Sequence, residues 1–208
     1  MENEKSLSWF DDQSFRNIIE NNLPLLFKEA ELETTRGGKI GMEVGTLRER
    51  ILIACMIKCF GKTKISTDFG VAESSKDVKV FEDIISIKTF SNDGYGGLKI
   101  FWASDNETVN KTIENYVPQN NLLITNIRWG KKEGGVFLIP LDVQNEFFQI
   151  NGAKNYLKKN SGNNRGISIN KEILILMLKD QRTKKIEIDW ILHNIPFNIY
   201  ERWIQKII

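Results

Sequence analysis

Apolar and polar residues alternate most clearly in one stretch, KDVKVFEDIISIKT, which runs from Lys76 to Thr89. It contains two runs rich in β-branched and aromatic residues, separated by Glu82 and Asp83, which is the length expected of a tight hairpin connection. The pattern therefore predicts two antiparallel strands. Because side chains alternate across a strand, one face of the hairpin is apolar and forms a core wall. Its residues are Val78, Val80, Ile85 and Ile87.

The other face of this hairpin carries Asp77, Ser86 and Lys88. With the turn at Glu82-Asp83, Asp77 lies directly opposite Lys88, and directly opposed residues have Cβ atoms about 5 Å apart. One interpretation is a cross-strand ion pair on a solvated face, worth at most about 1 kcal/mol. The other is a carboxylate and lysine site, and the rest of the chain bears on that choice.

Helical patterns precede the hairpin. Asp11 or Asp12 is placed to cap a helix through Asn22, and Pro24 to begin a second helix that runs to about Glu33.

A glycine-rich loop over Thr34–Gly41 follows, either a mobile connector or a binding loop. Thr46 is predicted to cap the next helix, which ends at Gly61. From Ile51 to Ile57 this helix is apolar on every side, which predicts that it is buried. Its first turns carry Glu49, where a helix could deliver an acid to a site beside a sheet.

Downstream of the hairpin the pattern predicts a strand, a helix and two more strands. These are a strand over 98–103, a helix from Ser104 or Asp105 to about Tyr116, and strands over 122–129 and 135–139. The order helix, strand, strand, strand, helix, strand is typical of a mixed α/β sheet flanked by helices. Beyond Pro140 we expect helices over 143–150, 153–159, 171–178 and 196–207, and a short strand over 185–190. The last helix carries Phe197, Tyr200 and Trp203, either as core or as an interface.

The chain has 208 residues, of which 41% are hydrophobic and 27% charged, with a net charge of +2. These values are ordinary for one soluble globular domain, so any nucleic-acid partner needs a local basic surface. We expect N-terminal helices over 1–40, a core over 41–140, and a C-terminal helical region over 141–208. The acidic start, MENEKS, predicts no signal peptide, and the longest apolar run is far short of the roughly 20 residues of a membrane span. A cytoplasmic protein is therefore expected.

Several kinds of chemistry are excluded by what the sequence lacks. There is one histidine, and none of the motifs GxSxG, GxxxxGK[ST] or GxGxxG is present. Cys55 and Cys59, four apart on a helix, are predicted to be core thiols and neither a disulfide nor a zinc half-site. A carboxylate and lysine site remains, and it suits a hard divalent cation, most naturally Mg²⁺.

Asp77 on one strand and Lys88 on its partner, preceded by a helix with an acid, resemble the PD-(D/E)xK nucleases. The resemblance implies a mixed central sheet flanked by helices, with an αβββαβ core and added C-terminal helices. In this sequence the lysine segment is Ser86-Ile87-Lys88, so serine replaces the usual acid. In some members of that family the acid has moved to the preceding helix, where Glu49 is placed to supply it.

The intervals between Glu49, Asp77 and Lys88, with Met42 just upstream, resemble the ThaI-type restriction endonucleases. The resemblance implies that Asp77, Glu49 and the carbonyl of Ile87 bind Mg²⁺, and that Lys88 orients water and neutralises charge on the phosphate. Two other acids, Asp68 and Glu43, are competitors for the carboxylate roles.

The resemblance gives Met42 a candidate role as an apolar wedge that enters the base stack from the minor groove. The alternative is that Met42 packs where its helix begins. Basic residues are candidates for phosphate or base contacts. They are Arg36, Lys39, Arg48, Arg50, Lys131, Lys132 and Arg165.

The function implied is that of a type II restriction endonuclease, which is Mg²⁺-dependent and cuts double-stranded DNA at CGCG to leave blunt ends. Matching a palindrome implies a homodimer, and the family implies a cognate DNA methyltransferase as partner. The C-terminal region over 141–208 is expected to supply DNA contacts and the dimer surface. Two alternatives stay open. One is a structure-selective repair or junction nuclease of the same fold, and the other is a non-catalytic DNA-binding module on a decayed nuclease fold.

Overall fold

The structure, a computed structural model, describes residues 7–70, 76–91, 98–102, 105–159, 166–191, 198 and 200–207. The helices are α1 (Gln13–Thr34), α2 (Val44–Phe60), α3 (Asn106–Asn115), α4 (Leu141–Asn151), α5 (Ala153–Tyr156), α6 (Lys171–Lys179) and α7 (Glu201–Ile204). The strands are β1 (Thr35–Arg36), β2 (Lys39–Ile40), β3 (Ile65–Ser66), β4 (Val78–Val80), β5 (Asp83–Phe90), β6 (Lys99–Trp102), β7 (Asn121–Asn126), β8 (Gly135–Ile139), β9 (Leu157–Lys159), β10 (Gly166–Ile169) and β11 (Lys184–Glu187).

The centre of the fold is a six-stranded sheet with the order β11-β8-β7-β5-β4-β3. Strands β5 and β7 pair in parallel, and the other neighbours are antiparallel. This confirms the predicted mixed sheet flanked by helices. The three strands before α3 differ from the prediction, because β6 lies in a separate sheet with β10 and β9, and β3 takes its place beside β4.

Two apolar layers cover the sheet. On one face α1 and α2 pack with residues such as Phe27 and Leu52 onto Leu123 and Leu138. On the other face the helices after β6 and the three-stranded sheet enclose a second cluster, which includes Ile124. Strands β7 and β8 therefore bury both faces, as nearly continuous apolar runs do.

The hairpin of β4 and β5 has the predicted faces in a different register. Val78 pairs with Ile85, two residues from its predicted partner, because the turn consists of Phe81 and Glu82. Phe81 adopts a left-handed conformation with φ of 53°, which is uncommon for a bulky residue. Asp83 is held in β5 because its Oδ2 accepts hydrogen bonds from the Leu7 amide and from Trp9 Nε1, both at 3.0 Å. This tertiary contact moves the turn.

The N-terminal helices differ from the prediction in two places. Asp12 caps α1 as expected, through hydrogen bonds from the amides of Ser14 and Phe15, but α1 continues through Pro24 as one helix. Its buried stripe runs across the proline, and this packing offsets the lost hydrogen bond. The next helix, α2, begins at Val44 with Glu43 as N-cap, so Thr46 is not the cap. It ends before Gly61 as predicted.

Beyond α4 the prediction missed two strands. The helix expected over 153–159 stops at Tyr156, and β9 follows it at once. Strand β10 was not predicted at all. In the last predicted helix, Tyr200 is 64% exposed and is not a core residue, while Phe197 and the side chain of Trp203 lie outside the described part of the chain. None of the helices that the structure describes is long and apolar enough to cross a membrane.

Helices α1 and α2 are joined by a buried ion pair between Glu31 and Arg48. Both residues are 3% exposed. Glu31 Oε1 accepts a hydrogen bond from Arg48 Nη2 and another from Trp129 Nε1, the latter at 2.8 Å. Lys28 approaches the other carboxylate oxygen at 3.5 Å. This pair ties the first turns of α2 to α1 and to the loop after β7.

We expect Arg48→Met to lower the free energy of unfolding by about 3–5 kcal/mol, because it leaves Glu31 charged and buried without its main partner. The double variant Glu31→Gln/Arg48→Met removes both charges and keeps an acceptor for Trp129, so it should be more stable than Arg48→Met alone. Urea denaturation measures both, with the exposed Arg36→Met as control. A double variant less stable than Arg48→Met would contradict this account.

Candidate active site

Asp77 is the centre of the cluster on the outer face of the hairpin. Its Oδ2 accepts hydrogen bonds from the amide of Ile87 at 2.5 Å, from Ser86 Oγ at 3.2 Å and from Lys88 Nζ at 3.1 Å. The sequence predicted that Asp77, Ser86 and Lys88 share a face, and the structure brings all three together. In the observed register Lys88 contacts Asp77 diagonally across the two strands. The register differs from the prediction by two residues, so every side chain remains on its predicted face.

The backbone explains why these groups meet. Strand β4 begins at Val78, opposite Ile85, so Ile87 lies beyond the end of that strand. Its amide donates to the Asp77 side chain, and its carbonyl accepts a hydrogen bond from Lys88 Nζ at 2.8 Å. Lys88 therefore bridges Asp77 Oδ2 and the Ile87 carbonyl, two oxygens close enough to share one cation.

Glu49 approaches this cluster from α2. It is half-buried and lines the same groove as Asp77. Burial raises the pKa of the Glu49 carboxyl, the negative charge of Asp77 raises it further, and Lys88 and Arg50 act in the opposite direction. Glu49 is therefore within electrostatic reach of both Asp77 and Lys88.

The two competing acids are placed elsewhere. Glu43 is exposed at the start of α2 and forms an ion pair with Arg36 at 3.6 Å. Asp68 is exposed in the loop after β3, where its amide donates to Ser66 Oγ. Neither lines the groove between α2 and Asp77.

The oxygens at this site fit a hard divalent cation. Among the described residues, no three Asp, Glu, His or Cys side chains converge on one point, so a metal would be held by fewer carboxylates. Asp77, Glu49 and the Ile87 carbonyl offer oxygens only, which is the ligand type that Mg²⁺ prefers. The position of Lys88 across two of these oxygens indicates that a cation is favourable there.

A groove, here called the α2 groove, leads away from the two carboxylates along α2. Glu49 and Asp77 lie at one end of this groove. Its other lining residues are Arg50, Ile53, Ala54, Ile57, Thr67, Phe69, Gly70 and Lys76. The sequence predicted that α2 is buried on every side. This prediction was wrong for one side, since Ala54 is exposed and Ile53 and Ile57 are only half-buried.

The glycine-rich loop predicted before α2 forms a small hairpin of β1 and β2. Gly37 and Gly38 make its turn, both with positive φ, and the hairpin is exposed throughout. Arg36 and Lys39 flank the turn. Met42 follows it and is 93% exposed, so its side chain does not pack at the start of α2. An exposed methionine beside a basic hairpin is compatible with the wedge.

The other basic candidates have different environments. Arg48 was predicted to contact DNA, and this was wrong, because its guanidinium is buried against Glu31. Arg50 is exposed at the α2 groove. Lys131 and Lys132 are exposed in the turn before β8, where Lys132 lies 3.9 Å from Asp189. Arg165 lies outside the described residues.

Sequence reasoning missed the roles of Ser86 and Glu31. It read Ser86 as a missing acid, whereas its hydroxyl is a neutral donor to Asp77. Only the three-dimensional contact shows this. The burial of Glu31 was predictable from the sequence, because Glu31 lies four residues after the buried Phe27 on the apolar stripe of α1. A carboxylate at such a position needs a buried partner.

The family model described as restriction endonuclease ThaI matches residues 9–207. A solved structure described as a restriction endonuclease in complex with substrate DNA is 36% identical, with a TM-score of 0.86, and the match covers 96% of each chain. No curated protein matches this chain.

The raised pKa of Glu49 predicts a dependence of stability on pH. When folding raises the pKa of a carboxyl, the folded state favours the protonated form of that group. At a pH above the raised pKa the carboxyl is ionised, and its charge lowers the free energy of unfolding. Glu49→Gln should therefore be more stable than the parent at neutral pH. The advantage should shrink as the pH falls through the raised pKa towards the ordinary value of 4.5. Thermal unfolding across this range, with the exposed Glu114→Gln as control, measures the difference. A difference in stability between Glu49→Gln and the parent that stays constant with pH would contradict the raised pKa of Glu49.

Proposed function

This chain belongs to the ThaI restriction endonuclease family, and from that premise we propose that it cuts both strands of DNA at CGCG to leave blunt ends, with Mg²⁺ as cofactor. It is a type II restriction endonuclease, a site-specific deoxyribonuclease that acts on DNA. The observation that carries the residue assignment is the cluster of Ile87, Ser86 and Lys88 around Asp77, with Glu49 at the same groove.

In this proposal Asp77, Glu49 and the Ile87 carbonyl hold the metal ion. When bound, a divalent cation polarises the scissile phosphate and lowers the pKa of a water molecule, so that hydroxide forms near neutral pH. Ser86 and the Ile87 amide fix the orientation of the Asp77 carboxylate. Lys88 supplies positive charge where negative charge develops on the phosphate oxygens, and its short distance to Asp77 keeps the ammonium in the site.

The proposal includes a homodimer. A palindrome presents the same half-site on both strands, and a two-fold dimer offers one active site to each. The solved relative is described as bound to substrate DNA, which supports double-stranded DNA as the partner of this chain. A DNA methyltransferase that protects the same sequence is the expected companion.

Cleavage of plasmid DNA tests the assignment. With Mg²⁺ the wild type should give discrete fragments whose ends are blunt and lie within CGCG. Asp77→Ala should abolish cleavage, and Lys88→Ala should slow it by about 100-fold or more, because a charge on the reacting phosphate is lost. The exposed Lys171→Ala serves as a matched control and should cut at the wild-type rate.

Each other result has a definite meaning. A smear of products would favour a structure-selective nuclease of the same fold. No cleavage with any divalent metal would favour a non-catalytic DNA-binding module. Full activity in Asp77→Ala would overturn the residue assignment while leaving the family unchanged.

Met42→Ala tests the wedge separately. An apolar side chain that enters the base stack offsets the cost of unstacking, a few kcal/mol per step, by contacts that the bent DNA permits. We expect the variant to bind and cut its site at least about 10-fold less well, with unchanged affinity for unrelated DNA. Gel-shift and cleavage assays measure both, and Leu176→Ala, at another exposed apolar position, is the control. Site affinity and cutting equal to the wild type would exclude the wedge.

A further inference from the structure

We propose that the α2 groove binds one nucleoside unit of the cleaved strand next to the scissile phosphate, and that Lys76 contacts the phosphate beyond it. This inference rests on the proposed function. It assigns a substrate-binding role to Ile53, Ala54 and Lys76, three residues for which the sequence pattern predicted no role.

The position of the groove is the first argument. It begins at Glu49 and Asp77, the two carboxylates of the candidate active site, so whatever lies in it is adjacent to the reacting atoms. From Glu49 to Ile57 the helix rises by about 12 Å at about 1.5 Å per residue. The groove has a volume of about 550 Å³, within the range of about 300–1,000 Å³ that small-ligand sites occupy. It suits one nucleotide and not a duplex.

The chemistry of the groove is the second argument. Its floor is apolar, because Ile53, Ala54 and Ile57 follow one another along α2 and Phe69 faces them from the loop after β3. Ile53 and Ile57 are half-buried, because each packs against the core and also lines the groove. A partly exposed apolar strip beside two carboxylates matches the uncharged part of a nucleotide, its deoxyribose and base.

The charge at the rim is the third argument. Arg50 on α2 and Lys76, next in the chain to Asp77, both line the groove. A strand that passes the active site carries a phosphate on each side of every nucleoside, so an apolar floor with cations at its rim matches the alternation of sugar and phosphate. A neutral apolar ligand would not need these cations, and a free anion would not need the apolar floor.

Filling the groove tests the site directly. Ala54 is exposed, so Ala54→Trp should fold, and its ring would occupy the space assigned to the nucleoside. We expect kcat/KM on the cognate duplex to fall by about 100-fold, the effect of displacing a substrate by about 1 Å from the reacting groups. Leu176→Trp, a matched substitution at an exposed position of α6, should keep the wild-type kcat/KM. An Ala54→Trp enzyme within threefold of the wild type would overturn the proposal.

Salt dependence tests the phosphate contact without requiring cleavage. Lys76→Ala should lower the slope of log Kd against log salt concentration by about 1, as expected for the loss of one phosphate contact, while Lys171→Ala should leave it unchanged. Binding is measured in EDTA. An unchanged slope in Lys76→Ala would overturn the role of Lys76.

The two assays separate failure of this inference from failure of the proposed function. A wild type that cuts no DNA with any metal defeats the proposed function, and the salt slopes then still report whether DNA contacts Lys76. A wild type that cuts normally beside an equally active Ala54→Trp defeats the groove alone.

Discussion

The hydrogen bond from the Ile87 amide to Asp77 Oδ2 fixes a carboxylate to the centre of the sheet. Ile87 lies in β5, which pairs with β7 along its length, so the donor is held by rigid backbone. Because β4 starts only at Val78, the amide and carbonyl of Ile87 are free of a strand partner on that side. The short strand thus leaves two backbone groups that the candidate site uses, one for Asp77 and one for a cation.

The faces of this hairpin were predictable from sequence, and its register was not. Side chains alternate between the two faces of a strand. An error in register of an even number of residues therefore leaves Asp77 and Lys88 on the same face. The turn itself is set by Asp83, whose carboxylate accepts hydrogen bonds from the distant Leu7 and Trp9. A contact between residues so far apart in sequence leaves no local signal, so the predicted turn fell one residue late and the predicted strand pairing was shifted by two residues.

Burial decided two further differences between sequence and structure, both in α2. Arg48 and Arg50 are both cations near the start of α2, yet one is buried against Glu31 and the other is exposed at the α2 groove. Similarly, an all-apolar helix predicts burial, but the α2 groove leaves one side of α2 uncovered. Residue type gave the right elements here, while the neighbours from α1, β3 and the loops decided which side chains remain accessible.

The contacts between residues 7–34 and residues 184–190 have a consequence for the synthesis of this protein. Lys184 Nζ donates to the Leu7 carbonyl at 3.1 Å, and Trp190 stacks on Phe27 with ring centroids 6.1 Å apart. The apolar layer over α1 therefore closes only when the chain has been made beyond residue 190, although Glu49, Asp77 and Lys88 emerge from the ribosome much earlier. Chain topology therefore delays a completed nuclease until residue 190 has been made, and a shorter chain lacks the side chains that close the apolar layer over α1.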